Sequence, residues 1–320
     1  MFLQIVIMIV GLALVVLGAN WLVDGASSIA RRLGISEFVI GLTIVGFGTS
    51  MPEFVVSITG AIQGMSDVSI GNVIGSNVFN TLLILGLTAI ITPIAITSDN
   101  RRRDIPIAVG TSLLLALYGM RHTLFGMGQS DGISRLGGIF FLLLFVSYVV
   151  ICFIKDRGET PTKAAQQTEK KIARSLLLSL AGIGGLIGGG QIFVNSASTI
   201  AQMAGLSEKF IAITILAGGT SMPELVTCVV AAAKQRNQLA LGNVLGSNIF
   251  NILLIIGTSA TIHPIVFGGI NLIDMGILVL SVVALWLFAV LGRRSRINRF
   301  EGTLLLLLFV AYYIVLFQSL

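Results

Sequence analysis

Ten continuously apolar segments, each close to the length of a membrane-spanning helix, dominate this sequence of 320 residues. A hydrocarbon core about 30 Å thick requires roughly 20 helical residues, and only helices or closed barrels satisfy their backbone hydrogen bonds in lipid. Barrel strands would alternate apolar and polar side chains, and these segments do not. The sequence therefore predicts an all-α integral membrane protein with ten transmembrane helices. The predicted spans are residues 2–23, 37–63, 68–95, 104–120, 135–154, 175–203, 208–233, 239–262, 272–291 and 302–318.

The basic residues are concentrated in alternate loops between these spans. Of the 20 Lys and Arg residues, 17 lie in the loops after spans 1, 3, 5, 7 and 9, and only Arg121, Arg135 and Lys209 lie on the opposite side. Cytoplasmic loops of membrane proteins carry such an excess of positive charge. We therefore expect a multi-pass protein of the cell membrane with both termini extracytoplasmic. The basic residues are explained by topology, so they do not indicate nucleic acid binding.

The second half of the sequence repeats the first half at a constant spacing. Gly71–Asn80 reads GNVIGSNVFN, and Gly242–Asn251 reads GNVLGSNIFN; we call the spacing between these two segments the repeat offset. Each copy contains five spans, an odd number, so the second copy must enter the membrane from the opposite side. Inverted repeats of this kind recur in secondary transporters. We expect a first five-helix repeat at 1–155, a polar cytoplasmic linker at 156–173 and a second, inverted five-helix repeat at 174–320.

A motif that contains proline and glutamate occurs once in each repeat. Gly46–Glu53 reads GFGTSMPE, and Ala217–Glu224 reads AGGTSMPE. A proline inside a helix cannot donate to the carbonyl four residues earlier, so each motif breaks its helix and frees a carbonyl oxygen. An ionisable side chain at this depth costs at least a few kcal/mol unless a partner compensates it. The duplicated motif therefore predicts a cation site that holds Glu53 and Glu224.

Hydroxyl and amide side chains accompany the two glutamates. Residues four apart lie on the same helix face, so their oxygens can serve one ion. Ca2+ takes about six to eight oxygen ligands, and two glutamates supply the charge that neutralises one Ca2+. Zinc and copper fit poorly, because the only histidines, His122 and His263, are isolated near span ends. The pairs on one face are Thr49 with Glu53, Thr220 with Glu224, Ser76 with Asn80, and Ser247 with Asn251.

Other small and polar residues in these segments are interpreted as packing residues. Glycines spaced four apart allow close helix contact, and asparagines between them are typical of interhelical hydrogen bonds. Cysteines inside predicted spans are expected to be small buried residues rather than a disulfide. The glycines are Gly71, Gly75, Gly242 and Gly246, the asparagines are Asn72, Asn77, Asn243 and Asn248, and the cysteines are Cys152 and Cys228.

The duplicated motifs resemble those of the Ca2+/cation antiporter superfamily and, within it, the prokaryotic Na+/Ca2+ exchangers. The resemblance covers nearly the whole chain, and it implies ten helices in inverted repeats with cation sites near the middle of the membrane. The transported ions would be Na+ and Ca2+, with no cofactor, no obligate protein partner and the lipid bilayer as surroundings. The implied ligands are Thr49, Ser50, Glu53, Ser76, Asn80, Thr220, Ser221, Glu224, Ser247 and Asn251, with the carbonyls of Gly46 and Ala217.

Four alternatives to simple Na+/Ca2+ exchange can be compared with the same residues. K+-dependent relatives place an acidic residue where this chain has Asn251, so K+ co-transport is not expected. Exchange of Ca2+ or another cation for protons is the second candidate, although the H+/Ca2+ branch of the superfamily carries different motifs. A channel could use the same oxygens, but paired broken helices fit alternating access better. An enzyme is not expected, because the sequence contains no arrangement of a nucleophile with a base.

The predicted topology can be tested with single cysteines at Ser130 and Gln166, in a background without Cys152 and Cys228. We expect a membrane-impermeant thiol reagent to label the cysteine at position 130 from outside intact cells. The cysteine at position 166 should react only in inverted vesicles, because positively charged loops stay in the cytoplasm. Labelling of both positions from the same face would contradict the ten-span arrangement.

Overall fold

The structure is a computed structural model that describes residues 1–155, 172–205, 217–291 and 296–319. The predicted linker at 156–173 lies almost entirely outside the described residues, as does the beginning of the predicted span at 208–233.

Helices of membrane-spanning length and composition account for most of the predicted spans. Among the described residues, seven single helices qualify, and the bent pair Glu37–Thr49 and Met51–Ile62 forms an eighth span. The prediction of an all-helical membrane protein is therefore confirmed. The seven helices are Phe2–Leu33, Ser66–Ile91, Arg135–Lys155, Ile172–Met203, Asn237–Ile262, Leu272–Leu291 and Arg299–Leu316.

Two further predicted spans are represented by shorter helices. The span predicted at 104–120 corresponds to Ile105–Gly119, which has 15 residues and follows a short π-helix, Asn100–Asp104. The span predicted at 208–233 is described from Ala217 onward and ends with the helix Met222–Ala233. The chain thus has between eight and ten spans.

The chain forms two compact units, and each unit combines parts of both sequence repeats. The first unit comprises Met1–Pro52 and Cys152–Asn243, and the second comprises Glu53–Ile151 and Val244–Leu320. In the first unit, the helical segments are Phe2–Leu33, Glu37–Ile40, the π-helix Gly41–Val45, Gly46–Thr49, Ile172–Met203, Ala217–Thr220, Met222–Ala233 and the beginning of Asn237–Ile249.

The two longest helices of the first unit, Phe2–Leu33 and Ile172–Met203, pack against each other through glycine. Along this contact the residue numbers rise in one helix as they fall in the other, so the helices are antiparallel. They are the first helices of the two repeats, which confirms that the repeats are inverted. A Cβ on Gly11, Gly18 or Gly25 would lie 2.9, 2.7 or 2.7 Å from the carbonyl oxygen of Gly189, Gly182 or Ser175, respectively.

A second close helix contact in the first unit joins Glu37–Val45 to the beginning of Asn237–Ile249. Gly242 lies against the backbone of Phe38 and Leu42, as expected for a packing glycine. At the helix ends, Arg236 forms an ion pair with Glu37 at 2.8 Å. Close backbone contact and ion pairing therefore hold these two helices together.

The second unit contains helices from both repeats and four very short strands. The strands are the only departure from an all-helical fold in the described part of the chain. Its helical segments are the remainder of Met51–Ile62, Ser66–Val78, the π-helix Phe79–Ile84, Leu85–Ile91, the π-helix Asn100–Asp104, Ile105–Gly119, Arg121–Phe125, Arg135–Lys155, the remainder of Asn237–Ile249, the π-helix Phe250–Ile256, Gly257–Ile262, Leu272–Leu291 and Arg299–Ser319.

The strand pairing in the second unit follows the sequence repeat. Strands β1 (Ile94–Ala95) and β3 (Ile265–Val266) are equivalent at the repeat offset, and β2 (Gly132–Ile133) and β4 (Arg296–Ile297) each precede the last helix of a repeat. The pairs are antiparallel and reciprocal, β1 with β4 and β2 with β3. The first strand of each repeat thus pairs with the second strand of the other repeat, as a two-fold relation requires.

Side-chain packing in the second unit repeats the same reciprocity. The ring of Phe79 meets Phe309 edge to face at 5.6 Å, and the equivalent Phe250 meets Phe145 at 4.8 Å. In both pairs, a residue at the start of a π-helix contacts the last helix of the opposite repeat. These contacts fix the helices that carry the asparagines of the predicted cation site.

The antiparallel glycine contact predicts different effects for two neighbouring glycines. A methyl group at Gly182 would lie 2.6 Å from the backbone nitrogen of Leu22, so Gly182→Ala should lower the free energy of unfolding by about 1–3 kcal/mol. Gly184 has nothing within 4 Å among the described residues, so Gly184→Ala should be neutral or stabilising by up to about 1 kcal/mol. Thermal unfolding in detergent measures both, and equal melting temperatures would refute the close contact.

Candidate cation-binding residues

Each predicted glutamate follows a break in its helix. The helix Gly46–Thr49 ends at Ser50, whose backbone has φ −83° and ψ 8°. Ser221 separates Ala217–Thr220 from the next helix with nearly the same conformation, φ −88° and ψ 8°. The proline in each motif lies directly after the break, in the first helical turn, where a missing N–H costs least. The predicted helix breaks are therefore confirmed in both repeats.

Glu53 and Glu224 lie in the first turn of the helices that follow the breaks, Met51–Ile62 and Met222–Ala233. Both side chains are fully buried, with 0% exposure. The N-terminal end of a helix carries partial positive charge, which favours a carboxylate there by typically 0.3–1 kcal/mol, about 2 kcal/mol at most. This gain is smaller than the cost of several kcal/mol for removing an ionised carboxylate from water. Each carboxylate therefore favours a positively charged ligand.

In the first unit, a hydroxyl group of the first motif contacts the Glu224 carboxylate of the second. Ser50 donates a hydrogen bond from Oγ to Glu224 Oε1 at 2.8 Å, which joins the broken helices of the two repeats. Thr49 Oγ1 lies 3.4 Å from the carbonyl oxygen of Gly46 and 3.0 Å from Asn243 Oδ1. Ser50, Glu224 and Thr49 are all buried. Oxygen donors that the two motifs supply thus come together within this unit.

Asn243 connects this group to the next turn of the glutamate helix. Its Oδ1 accepts the Thr49 hydroxyl, and its Nδ2 lies 3.3 Å from Cys228 Sγ. Cys228 Sγ in turn lies 3.6 Å from the carbonyl oxygen of Ala240. Because Asn243 engages both ends of its amide, its Oδ1 is held toward the Thr49 hydroxyl.

The second unit contains the matching network around Glu53. Asn72 Nδ2 donates to the backbone oxygen of Glu53 at 3.2 Å and to Ser57 Oγ at 2.9 Å. Ser57 Oγ donates to the carbonyl oxygen of Ser69 at 3.3 Å. At the repeat offset, Asn72 corresponds to Asn243 and Ser57 to Cys228. The thiol of Cys228 therefore takes the place of a hydroxyl, a polar contact that the expectation of a purely apolar cysteine missed.

Two π-helices in the second unit carry the remaining asparagines. Asn80 and Asn251 are each the second residue of a π-helix, Phe79–Ile84 and Phe250–Ile256. π-Helical turns widen the backbone spiral and are frequent at functional sites. Both side chains are buried, and Asn251 Nδ2 donates to Asn77 Oδ1 at 2.9 Å. Within the described residues, Asn251 Oδ1 and both ends of the Asn80 amide have no hydrogen-bond partner.

The predicted ligands are distributed over both units. Ser76 and Ser247 are buried in the second unit, one turn before the asparagines. In the first unit, Ser221 is buried and Thr220 is half-buried. Ala217 begins a helix. The first unit thus holds Gly46, Thr49, Ser50, Ala217, Thr220, Ser221 and Glu224, and the second holds Glu53, Ser76, Asn80, Ser247 and Asn251.

The asparagines outside the predicted ligand set form interhelical hydrogen bonds, as expected. Asn77 Nδ2 donates to the backbone oxygen of Asn248 at 3.2 Å, and Asn248 Nδ2 donates to Thr81 Oγ1 at 2.7 Å. The sequence predicted interhelical hydrogen bonds for these asparagines but not their partners. The repeat offset shows which residues are equivalent, but it does not show which residues are in contact. Thr81 was not identified at all, since its equivalent, Ile252, has no hydroxyl.

The glycines of the same segments match their expected packing role only in part. Gly242 lies in close contact, whereas Gly75 has nothing within 4 Å in the described part of the chain. Gly71 meets only the Ile270 side chain, at 4.0 Å. The residues equivalent to the contacts of Gly242 fall at 209–213, outside the described residues. The packing role of Gly71 and Gly75 therefore stays a prediction. Cys152 and Cys228 are buried and are not joined in a disulfide, as expected.

A membrane protein of two inverted helical repeats, with buried glutamates at paired helix breaks, has the architecture of a secondary transporter. Comparison with known proteins identifies which kind. The sequence profile of the sodium/calcium exchanger protein family matches residues 3–154 and 174–318. The chain belongs to this family, so it is a transporter and not an enzyme.

Individual relatives agree with the family assignment. The chain is 38% identical over 322 residues to the putative antiporter CaxA of Alkalimonas amylolytica, with 100% of both chains covered. It is 31% identical to the sodium/calcium exchanger MaX1 of Methanosarcina acetivorans, with 97% of each covered. Among solved structures, it resembles the sodium-calcium exchanger NCX_Mj soaked with Na+ and Ca2+, with a TM-score of 0.84, 31% identity and 98% of each chain covered.

Proposed function

We propose that this chain is an antiporter of the cell membrane that exchanges Na+ for Ca2+ by alternating access. The observation that carries the proposal is the pair of fully buried glutamates at equivalent helix breaks, each close to hydroxyl or amide groups. Carboxylate, hydroxyl, amide and carbonyl oxygens are the ligands that Ca2+ and Na+ prefer. Two relatives named as sodium/calcium exchangers support the choice of ions.

The proposed ligands are the carboxylates, hydroxyls and amides of both duplicated motifs. Two carboxylates balance the charge of one Ca2+, while the neutral oxygens suit Na+ as well. Because the two ions would then share oxygens, binding of either one must weaken the other by the same factor. The proposed side-chain ligands are Glu53, Glu224, Thr49, Ser50, Ser76, Asn80, Thr220, Ser221, Ser247 and Asn251, and the proposed carbonyl ligands are Gly46 and Ala217.

The proposed orientation places both termini outside the cytoplasm and the linker at 156–173 inside it. The distribution of Lys and Arg over the loops supports this orientation. The repeat boundaries at 155 and 174 belong to the same proposal. Each repeat would then cross the membrane five times, with opposite polarity.

Proton coupling is the second candidate function. A buried carboxylate can bind a proton in place of a metal ion, and the relative CaxA carries a name that specifies antiport without the coupling ion. With Asn at both positions 80 and 251, the proposed ligand set has two formal negative charges. We therefore propose that transport does not require K+.

Purified protein in liposomes that are preloaded with Na+ tests the coupling. We expect uptake of labelled Ca2+ only while an outward Na+ gradient exists, at the same rate with and without K+ and with a protonophore present. Uptake that follows a pH gradient and collapses with protonophore would assign proton coupling instead. Uptake without any gradient of a counter-ion would assign a channel.

Neutralising either glutamate tests the ligand assignment. At an effective dielectric constant near 20, two unit charges 4 Å apart interact by about 4 kcal/mol. Glu53→Gln and Glu224→Gln should therefore each weaken Ca2+ binding at least about 100-fold and abolish Na+-driven Ca2+ uptake. Calorimetry in detergent and uptake into liposomes measure the two effects.

Glu301→Gln is the matched control for charge removal. Glu301 lies in the first turn of the helix Arg299–Ser319, where it accepts a hydrogen bond from the backbone nitrogen of Asn298, and it is not a proposed ligand. Its variant should bind and transport Ca2+ as the wild type does. Near-normal uptake in either of the other two variants would exclude that glutamate from the site.

A further inference from the structure

Asn77 and Asn248 occupy equivalent positions in the two repeats, but they hold different partners. Asn77 accepts a hydrogen bond at Oδ1 from Asn251 Nδ2, 2.9 Å away. If Asn248 acted in the same way, it would hold the amide of Asn80. Instead, Asn248 Nδ2 donates to Thr81 Oγ1 at 2.7 Å. All five side chains belong to the second unit, so this asymmetry lies within one compact body.

The contact with Asn77 determines which end of the Asn251 amide is available. A side-chain amide has one oxygen and one nitrogen, and only the oxygen can bind a cation. Since Nδ2 is engaged by Asn77, Oδ1 is the end left over, and it has no partner in the described part of the chain. Asn251 has 0% exposure, so water does not replace that partner at the surface.

Asn77 cannot readily reverse its own amide. Its Nδ2 donates to the backbone oxygen of Asn248 at 3.2 Å while its Oδ1 faces Asn251. Rotation of the amide by 180° would set two oxygens against each other at one end and two nitrogens at the other. Both hydrogen bonds would be lost in a buried setting, where unsatisfied polar groups are costly. The orientation of Asn251 is therefore fixed at two successive contacts.

Asn80 has no equivalent support. Neither end of its amide has a hydrogen-bond partner among the described residues, although its exposure is only 1%. Asn248 Oδ1, the atom equivalent to the Asn77 oxygen that accepts from Asn251, likewise has no hydrogen-bond partner among the described residues, while Asn248 Nδ2 donates to Thr81 Oγ1. The side chain of Asn251 is thus held by the residue at position 77, whereas that of Asn80 is not held by the equivalent residue at position 248.

We propose that Asn77 is a positioning residue that presents Asn251 Oδ1 to the transported cation, whereas Asn80 is a ligand that is free to reorient. The inference rests on the proposed function, in which both asparagines are ligands. A ligand that is held in place before binding loses little conformational freedom when the ion arrives. A ligand that is free to turn can follow changes in the ion shell as Na+ replaces Ca2+.

A double-mutant cycle on full-length protein tests the proposal, because it isolates the coupling between two residues. The variants are Asn77→Ala, Asn251→Ala and the double variant, and the measured quantity is the Ca2+ dissociation constant in detergent. Asn77→Ala should weaken Ca2+ binding by about two- to tenfold, the loss expected for one hydrogen bond. In a background of Asn251→Ala, the same substitution should have no further effect.

The repeat supplies a matched control cycle with Asn248→Ala and Asn80→Ala. Here the side chains are not bonded to each other, so the two effects should multiply. Thermal unfolding of every variant separates loss of the fold from loss of binding. If Asn77→Ala does not fold, Asn77→Ser replaces it, because serine introduces a shorter polar group in place of the amide. The same absence of a further effect is then expected in the Asn251→Ala background.

The outcomes distinguish the positioning role of Asn77 from the ligand role of Asn251. Multiplying effects of Asn77→Ala and Asn251→Ala, together with a normal loss of affinity in Asn251→Ala, would overturn the positioning role alone. Unchanged Ca2+ affinity in Asn251→Ala would remove Asn251 from the proposed ligands, and the positioning role would fall with it. Equal coupling in both cycles would overturn the proposed difference between Asn251 and Asn80.

Discussion

The burial of two carboxylates at helix breaks is the constraint on which the rest of this structure depends. Glu53 and Glu224 have no exposed surface, and removing an ionised carboxylate from water costs several kcal/mol even after the surroundings relax. The helix N-terminus at each glutamate and, at Glu224, the hydroxyl of Ser50 offset part of that cost. In the proposed function a cation offsets the remaining cost, so the burial that destabilises the fold would also create its affinity for ions.

Much of the architecture follows from the sequence because the chain is duplicated. The constant repeat offset predicted inverted repeats, and the antiparallel contact of Gly18 with Gly182 confirms them. The duplicated prolines predicted both helix breaks, and the length of the apolar segments predicted the helical class. These features depend on local chemistry or on symmetry, which a single sequence records. The composition of the two compact units, which mix both repeats, depends on tertiary packing and was not predicted.

The hydrogen-bond partners within the candidate site also could not be predicted from the sequence. Equivalent asparagines are expected to make equivalent contacts. However, Asn77 is hydrogen-bonded to Asn251, whereas Asn248 is hydrogen-bonded to Thr81. Thr81, the partner of Asn248, lies outside the duplicated motif. Similarly, the sequence predicts only that Cys228 is a small buried residue. The structure places its thiol next to Asn243, at the position equivalent to the hydroxyl of Ser57. Such hydrogen bonds form between helices, and the spacing of residues along the chain does not show which side chains meet there.

Two kinds of asymmetry distinguish the repeats, and their energies differ. In the first unit, Lys234 pairs with Asp24, and the residues equivalent to both at the repeat offset are uncharged. That pair lies 2.7 Å apart but retains 30% and 47% side-chain exposure, so solvent screening limits it to about 0–1 kcal/mol. In the second unit, the amides of Asn80 and Asn251 are almost fully buried, where an unsatisfied polar group costs about 1–3 kcal/mol. The larger energy lies at the buried amides, so the unequal hydrogen bonding of Asn80 and Asn251, and not the charge at the helix ends, is the larger energetic difference between the repeats.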